Sequence, residues 1–266
     1  RYRLIKSELS TKNKCDAVHD FMDEHALGFP VVIKPDVGER GKGVHIVKDE
    51  LMMEKALRYT EGNILVQEYI KGKEFGIFYY RIPGQSRGNL YSITEKSLYT
   101  LIGDGRHNLE HLILKDERAV CLAEMHIEKH ADHIFDRPDD GEVIELVDLG
   151  THARGALFYD GMRYKTDAVS ERMDNIAAEF EGFMFGRFDI KTDNVDSFMR
   201  GENYKVLELN GVTSEATHIY NPGYGLLNAW KVLFRQWELA FEIGKRNAEQ
   251  GAAPASLSQL LRRVLA

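Results

Sequence analysis

Two short runs hold the residues with the plainest chemistry: Gly186-Arg187-Phe188-Asp189-Ile190 and Val206-Leu207-Glu208-Leu209-Asn210. Along a strand, alternate side chains share a face. Arg187 and Asp189 therefore point one way and Phe188 and Ile190 the other. Glu208 and Asn210 likewise share a face, opposite Leu207 and Leu209. The segment 192–203 between the runs is polar and can return the chain antiparallel. Pairing the two strands gathers two carboxylates, an amide and a guanidinium above an apolar face that can lie on a core. Hard oxygen ligands on a rigid sheet suit Mg²⁺, which takes one or two carboxylates and completes its shell with water and substrate phosphates. A surface ladder of cross-strand ion pairs uses the same residue types.

A second group is Phe29-Pro30-Val31-Val32-Ile33-Lys34-Pro35, followed by Gly38, Arg40, Gly41, Lys42 and Gly43. Lys34 ends an apolar strand, and glycines let backbone N–H groups approach phosphate oxygens closely. No G-K-[ST] is present, so this is not a Walker A loop; an ordinary hairpin with a basic tip has the same composition. A third group is Val66-Gln67-Glu68-Tyr69-Ile70 with Gly72-Lys73-Glu74. A strand feeding a turn offers backbone groups and an apolar wall to a planar ring, and Glu74 an acceptor for hydroxyls. Arg154, in Gly150-Thr151-His152-Ala153-Arg154-Gly155, is suited to clamp a carboxylate with its planar fork. The same sequence also makes a simple turn, as does Gly103-Asp104-Gly105-Arg106.

These groups need elements to hold them. Period-2 patterning predicts strands at 30–34, 44–47, 63–70, 74–82, 89–96, 143–149, 187–191 and 204–210. Helical spacing predicts helices at 12–25, capped by Ser10 or Thr11, and at 49–60, 108–132, 170–180, 226–245 and 253–265. In 226–245 the residues Trp230, Leu233, Phe234, Trp237 and Phe241 form an apolar side, with the tryptophans Trp230 and Trp237 expected in the core. His126, His130 and His133 fall on one helix side, expected to be solvated because HExxH is absent and a zinc site needs a further ligand.

The 266 residues carry 43% hydrophobic and 29% charged side chains, an ordinary globular mixture. A net charge of −7 argues against a nucleic-acid binder, which needs a basic surface. Cys15 and Cys121 form no CxxC pair, which fits a reducing, cytoplasmic compartment. No transmembrane segment and no signal peptide is expected. A chain opening on Arg1 is expected to be processed or a fragment, with a further N-terminal domain possible.

In this order the three groups resemble the ATP-grasp superfamily, especially carboxylate-amine ligases of the D-alanine–D-alanine ligase type, over about 29–221. The resemblance implies an α+β fold with a small lobe (1–68), a large lobe (69–250), a helical tail (251–266), and ATP in the cleft between the lobes. It implies that Lys34 meets the nucleotide phosphates and that the loop with Gly41, Lys42 and Gly43 closes over them. Gln67, Glu68, Tyr69 and Ile70 would line the adenine, Glu74 hold the ribose, and Lys96 reach the nucleotide. Asp189, Glu208 and Asn210 would hold two Mg²⁺ ions, and Arg187 would stabilise the transferring phosphoryl group. The implied reaction joins a carboxylate to an amine, or to a thiol, through an acyl phosphate. Two alternatives are a phosphotransferase with a hydroxyl acceptor and a non-catalytic ATP-binding regulatory module. Two departures stand out. No upstream nucleotide lysine is well matched, since Lys6, Lys12 and Lys14 are poor substitutes. The Pro-Gly turn that follows the metal asparagine in D-alanine ligases is here Gly211-Val212-Thr213-Ser214-Glu215, which argues for another substrate.

Overall fold

The computed structural model describes residues 1–38 and 41–264, with side chains to 262. In chain order the elements are β1 (Tyr2–Ile5), α1 (Thr11–Glu24), β2 (Val31–Pro35), β3 (His45–Val47), α2 (Glu50–Tyr59), β4 (Ile64–Glu68), β5 (Lys73–Tyr80), β6 (Asn89–Ser97) and β7 (Thr100–Ile102). There follow α3 (Leu109–Lys115), α4 (Ala123–Lys129), β8 (Val143–Glu145), β9 (Leu157–Asp160), α5 (Asp167–Ala178), β10 (Phe185–Thr192), α6 (Val195–Met199), β11 (Tyr204–Asn210), α7 (Leu226–Glu249) and α8 (Leu257–Val264). The fold is α+β, with antiparallel pairing wherever the strand register is defined.

The chain divides into two compact units, 1–71 with 97–157, and 72–96 with 158–266. The stretch 69–250 is thus shared between them. In the first unit a sheet runs β1-β4-β2-β3. Its inward residues, among them Ile33, Val47, Ile64 and Val66, pack with Val18 and Phe21 of α1 and with Met53 and Leu57 of α2. Ser10 caps α1 by accepting from the Asn13 N–H at 3.2 Å, and Asp49 caps α2 through the Met52 N–H at 2.8 Å. The β2–β3 hairpin forms as expected, with Ile33 opposite His45. β1, too polar to announce itself, completes the sheet beside β4. Residues 97–157 add the pair β7–β8 and a second apolar cluster around Leu101, Ile113 and Val147.

The helix expected over 108–132 is broken. Asp116 takes the N–H groups of Arg118 and Ala119, and the Arg118 guanidinium reaches the carbonyls of Gly155 and Ala156. The local caps and this long-range clamp replace a continuous helix. His126 is 1% exposed, so the expectation of a solvated histidine face fails there.

In the second unit the sheet order is β11-β10-β5-β6-β9. One face presents Phe75, Ile77, Tyr79, Ile93, Phe188 and Ile190 to Val169, Met173 and Ala177 of α5 and Phe198 of α6. Leu239 and Ile243 of α7 pack with Phe78 and Phe185. The buried residues of α7 are Gln236, Leu239 and Ile243. Trp230 and Trp237, expected in the core, are 52% and 47% exposed. The amphipathic stripe is real, but it faces outward. No helix among the described residues is long and apolar enough to cross a membrane.

Candidate functional site

The β10–β11 hairpin forms as the alternation of side chains requires. Asp189 lies opposite Glu208, and Arg187 opposite Asn210, with a bulge beyond Asp189. Asn194 caps α6 by accepting from the Ser197 N–H at 2.9 Å, and Thr192 Oγ1 donates to the Asn203 carbonyl at 2.8 Å. These bonds fold the polar linker and close the hairpin. Gly186 is obligatory, since a Cβ there would lie 2.1 Å from the Asn210 carbonyl oxygen.

Cross-strand register extends the hairpin into a grid. One row runs Thr94, Gly76, Asp189, Glu208 across β6, β5, β10 and β11. The next row one way is Lys96, Glu74, Lys191, and the other way Ser92, Phe78, Arg187, Asn210. Gly76 leaves an opening in the centre. A Cβ on it would meet Arg187 Cδ at 3.2 Å, Asp189 Oδ1 at 3.3 Å and Thr217 Oγ1 at 3.5 Å.

Asp189 is buried and fully engaged. Arg187 donates from Nε to Oδ1 at 3.0 Å and from Nη2 to Oδ2 at 3.1 Å. Lys96 Nζ lies 3.3 Å from Oδ1, and Asn210 Nδ2 donates to Oδ2 at 3.3 Å. Lys96 also donates to Glu74 Oε1 at 2.7 Å, and Lys191 Nζ is 3.8 Å from Glu74 Oε2. Burial opposes ionisation of Asp189, but Lys96 and then Arg187 outweigh it and hold the carboxyl below its usual range. Burial likewise opposes the charge on Lys96, and Glu74 and Asp189 overcome it, raising the ammonium above its ordinary value. The side chains of Ser92, Thr94 and Thr217, all buried, have hydroxyl oxygens without a hydrogen-bond partner among the described residues.

Glu74 and Lys96, expected to act on a ribose and a nucleotide, are therefore ion partners beside Asp189. A brace that the sequence reading missed comes from α7. Buried Gln236 accepts from the Ala216 N–H and donates to the Ser214 carbonyl, both at 2.9 Å. That fixes the segment after Asn210, whose Glu215 carbonyl takes a bond from Arg187 Nη1 at 3.1 Å. A lone glutamine on the buried side of a helix was the signal.

No cluster of three or more His, Cys, Asp or Glu side chains able to hold a metal forms among the described residues. The local donor set still suits Mg²⁺. It offers two carboxylates in cross-strand register and one amide, hard oxygen donors that leave most of the shell to water and phosphate.

In the first unit, Lys34 sits half-buried on β2 opposite Leu65 of β4. The loop after β2 contains Gly41 and Gly43, at φ 73° and 72°. A Cβ on Gly43 would meet Pro35 Cγ at 2.8 Å, so the turn demands glycine. Lys42 is exposed, and Arg40 lies outside the described residues. A Cβ on Gly41 would fall 3.1 Å from Thr151 Oγ1, so the 150–155 segment lies against this loop. Arg154 belongs to that segment. Partial burial, then the charge of Arg154, pull the His45 imidazole below its usual pKa. Arg154 is thus grouped with the glycine loop in the first unit, while Asp189 belongs to the second. Gln67 is placed between Tyr2 of β1 and Val32 of β2. Glu68 meets the chain's amino terminus at 3.4 Å. Burial, Glu145 and Asp148 raise the Tyr69 hydroxyl above its ordinary pKa, and Ile70 is half-buried.

Residues 4–77 match the family model of the RimK-like ATP-grasp domain. No curated protein sequence matches the chain. Among solved structures, D-alanine–D-alanine ligase from Bacillus anthracis is 16% identical, with a TM-score of 0.47, covering 95% of this chain and 64% of that one. The D-Ala:D-Ser ligase VanG from Enterococcus faecalis is 17% identical at a TM-score of 0.47, covering 92% and 55%. A bifunctional glutathione synthetase from Pasteurella multocida is 17% identical at 0.43, covering 88% and 33%. The chain spans less than two thirds of each of these solved chains. Of the ATP-grasp resemblance drawn from the sequence, residues 4–77 are thus matched by the RimK-like ATP-grasp family model.

Proposed function

We propose that the chain is the ATP-binding part of an ATP-dependent ligase that activates a carboxylate as an acyl phosphate and passes it to an amine or a thiol. The observation that carries this reading is the row Asp189–Glu208, backed by Arg187, Lys96 and Asn210, in a chain whose residues 4–77 match an ATP-grasp family. Asp189, Glu208 and Asn210 would hold Mg²⁺, two ions in this proposal, whose charge screens the phosphates. Lys34 and the backbone of Gly41–Gly43 would hold the phosphates, Gln67–Ile70 would contact the adenine, and Glu74 is proposed for the ribose. In the same reading Arg187 and Lys96 carry positive charge to the phosphoryl group in transfer, where preorganised electrostatics supply most of the rate. Arg154 would clamp a substrate carboxylate. Glu74 and Lys96 must loosen their mutual bond to take up these roles. Two unpaired cysteines suit work in the cytoplasm.

The test is ADP release from the full-length protein with pooled carboxylic acids and amines. Release that needs an acid and an amine together supports the ligase. Amine-independent ADP with a stable phosphorylated product would make it a phosphotransferase. Tight ATP binding with no turnover under any pool would make it a regulatory module.

A further inference from the structure

The outward stripe of α7 leaves large aromatic side chains exposed to solvent. Phe234 and Phe241 are 71% and 76% exposed, and Trp230 and Trp237 are about half exposed. Successive helical residues are 100° apart, so 230, 234, 237 and 241 share one face, and buried Gln236, Leu239 and Ile243 lie across the helix. A fully buried aromatic side chain removes ~150–250 Å² from water, so these exposed fractions amount to roughly 500 Å². Exposed Leu226 and Leu227 extend the same face at its start. With them the area nears 700 Å² per copy, close to the ~800 Å² per partner of a standard interface.

The stripe has a mirror spacing. Trp230 and Phe241 stand equally far from a midpoint between Arg235 and Gln236, as do Phe234 and Trp237. The charges on one flank repeat the pattern one position on: Lys231 and Arg235 before the midpoint, Glu238 and Glu242 after it. Two copies of α7 laid antiparallel bring like flank to like flank in reverse order. Trp230 then meets the partner's Phe241, and Phe234 the partner's Trp237. On the flank, Lys231 faces the partner's Glu242 and Arg235 the partner's Glu238. A parallel twofold pairing instead sets this flank against the partner's opposite flank, so these charge pairs do not form.

We propose that α7 is the interface of a homodimer of this chain, two antiparallel helices related by a twofold axis beside Arg235–Gln236. The present Arg235–Glu238 and Arg246–Glu242 pairs are exposed and can exchange partners at little cost. The inference is independent of the nucleotide reading.

Sedimentation and dilution of the 266-residue chain test it. The expected particle has twice the 30.4 kDa monomer mass. Both tryptophans of the chain lie in the stripe, so dilution into monomer should shift their emission to the red. Phe234→Glu should give a folded monomer that melts like the wild type diluted to monomer, because the ring is exposed within its own chain. Lys231→Glu should raise the dissociation constant about tenfold, through two symmetry-related contacts. Adding Glu242→Lys should restore it. A monomer at the highest soluble concentration would overturn the proposal, as would open-ended oligomers, a dimer indifferent to Phe234→Glu, or a double reversal that fails to restore affinity.

Discussion

Lys96→Met removes a cation that touches both Glu74 and Asp189. Its side chain is 6% exposed, against 15% and 7% for the two carboxylates. At an effective dielectric near 20, unit charges at these separations of 2.7 and 3.3 Å attract by roughly 6 and 5 kcal/mol. Rehydrating the lost ammonium in the unfolded chain no longer matters in the variant, which offsets several kcal/mol of that sum. Removing one member of a buried pair costs about 3–5 kcal/mol in total. Here Arg187 still holds both oxygens of Asp189, and Lys191 remains 3.8 Å from Glu74, so the lower end applies, about 3 kcal/mol. Urea unfolding followed by circular dichroism measures it. The control is Lys73→Met, since Lys73 pairs with Glu95 at 2.6 Å but is 42% exposed. With this cation partly in solvent and Glu95 still held by Arg163 and Tyr164, its loss should cost under about 1 kcal/mol. Adding Glu74→Gln to Lys96→Met should recover part of the loss by removing a carboxylate left with the longer Lys191 contact. If the Lys96 and Lys73 variants lose the same stability, or the double variant recovers nothing, the charge-network argument fails.

Three further outcomes are expected. Lys34→Ala should weaken ATP binding about tenfold or more in calorimetric titration, the scale of ~1.5–3 kcal/mol for a bond to a charged group, and unchanged affinity would remove Lys34 from the nucleotide site. Glu208→Gln should depress Mg-dependent turnover more than Asn210→Ala, because an amide carries no charge to lose; wild-type turnover in Glu208→Gln would sink the metal assignment. Asp189 has a depressed pKa, so its stabilisation is present above the unfolded carboxyl value of about 3.9 and is lost as pH falls through the lower folded value. The stability gap between wild type and Asp189→Asn should therefore shrink on acidification below about pH 4, and a gap constant down to that acid range would contradict the assigned shift.

The β10–β11 hairpin was readable because strict alternation sorts Arg187, Asp189, Glu208 and Asn210 onto one face, and a polar linker of that length permits only a few returns. The alliance of Lys96 with Glu74 was not readable. It depends on the register of β5 with β6, which a bulge at Tyr79 shifts part-way along. α7 shows a different limit. Helical spacing fixes that Trp230, Phe234, Trp237 and Phe241 share a side, but not what that side meets. The buried side is marked instead by Gln236, a polar residue that composition rules assign to solvent. β1, β7 and β9 are short and flanked by polar residues, and their identity as strands comes from the neighbour each one pairs with.

The interleaving of the two units has a consequence for synthesis. The chain leaves the second unit at 96, builds 97–157 in the first, and returns at 158. β5, the central strand of the five-stranded sheet, emerges from the ribosome long before β10, which supplies its other edge. In the interval β5 keeps one edge open to pairing with another chain, and until α5 follows, Phe75, Ile77 and Tyr79 stay uncovered. Nascent or truncated chains ending between about 100 and 180 should thus be the ones that call on chaperones. A stop in that range should leave insoluble product rather than a smaller folded protein.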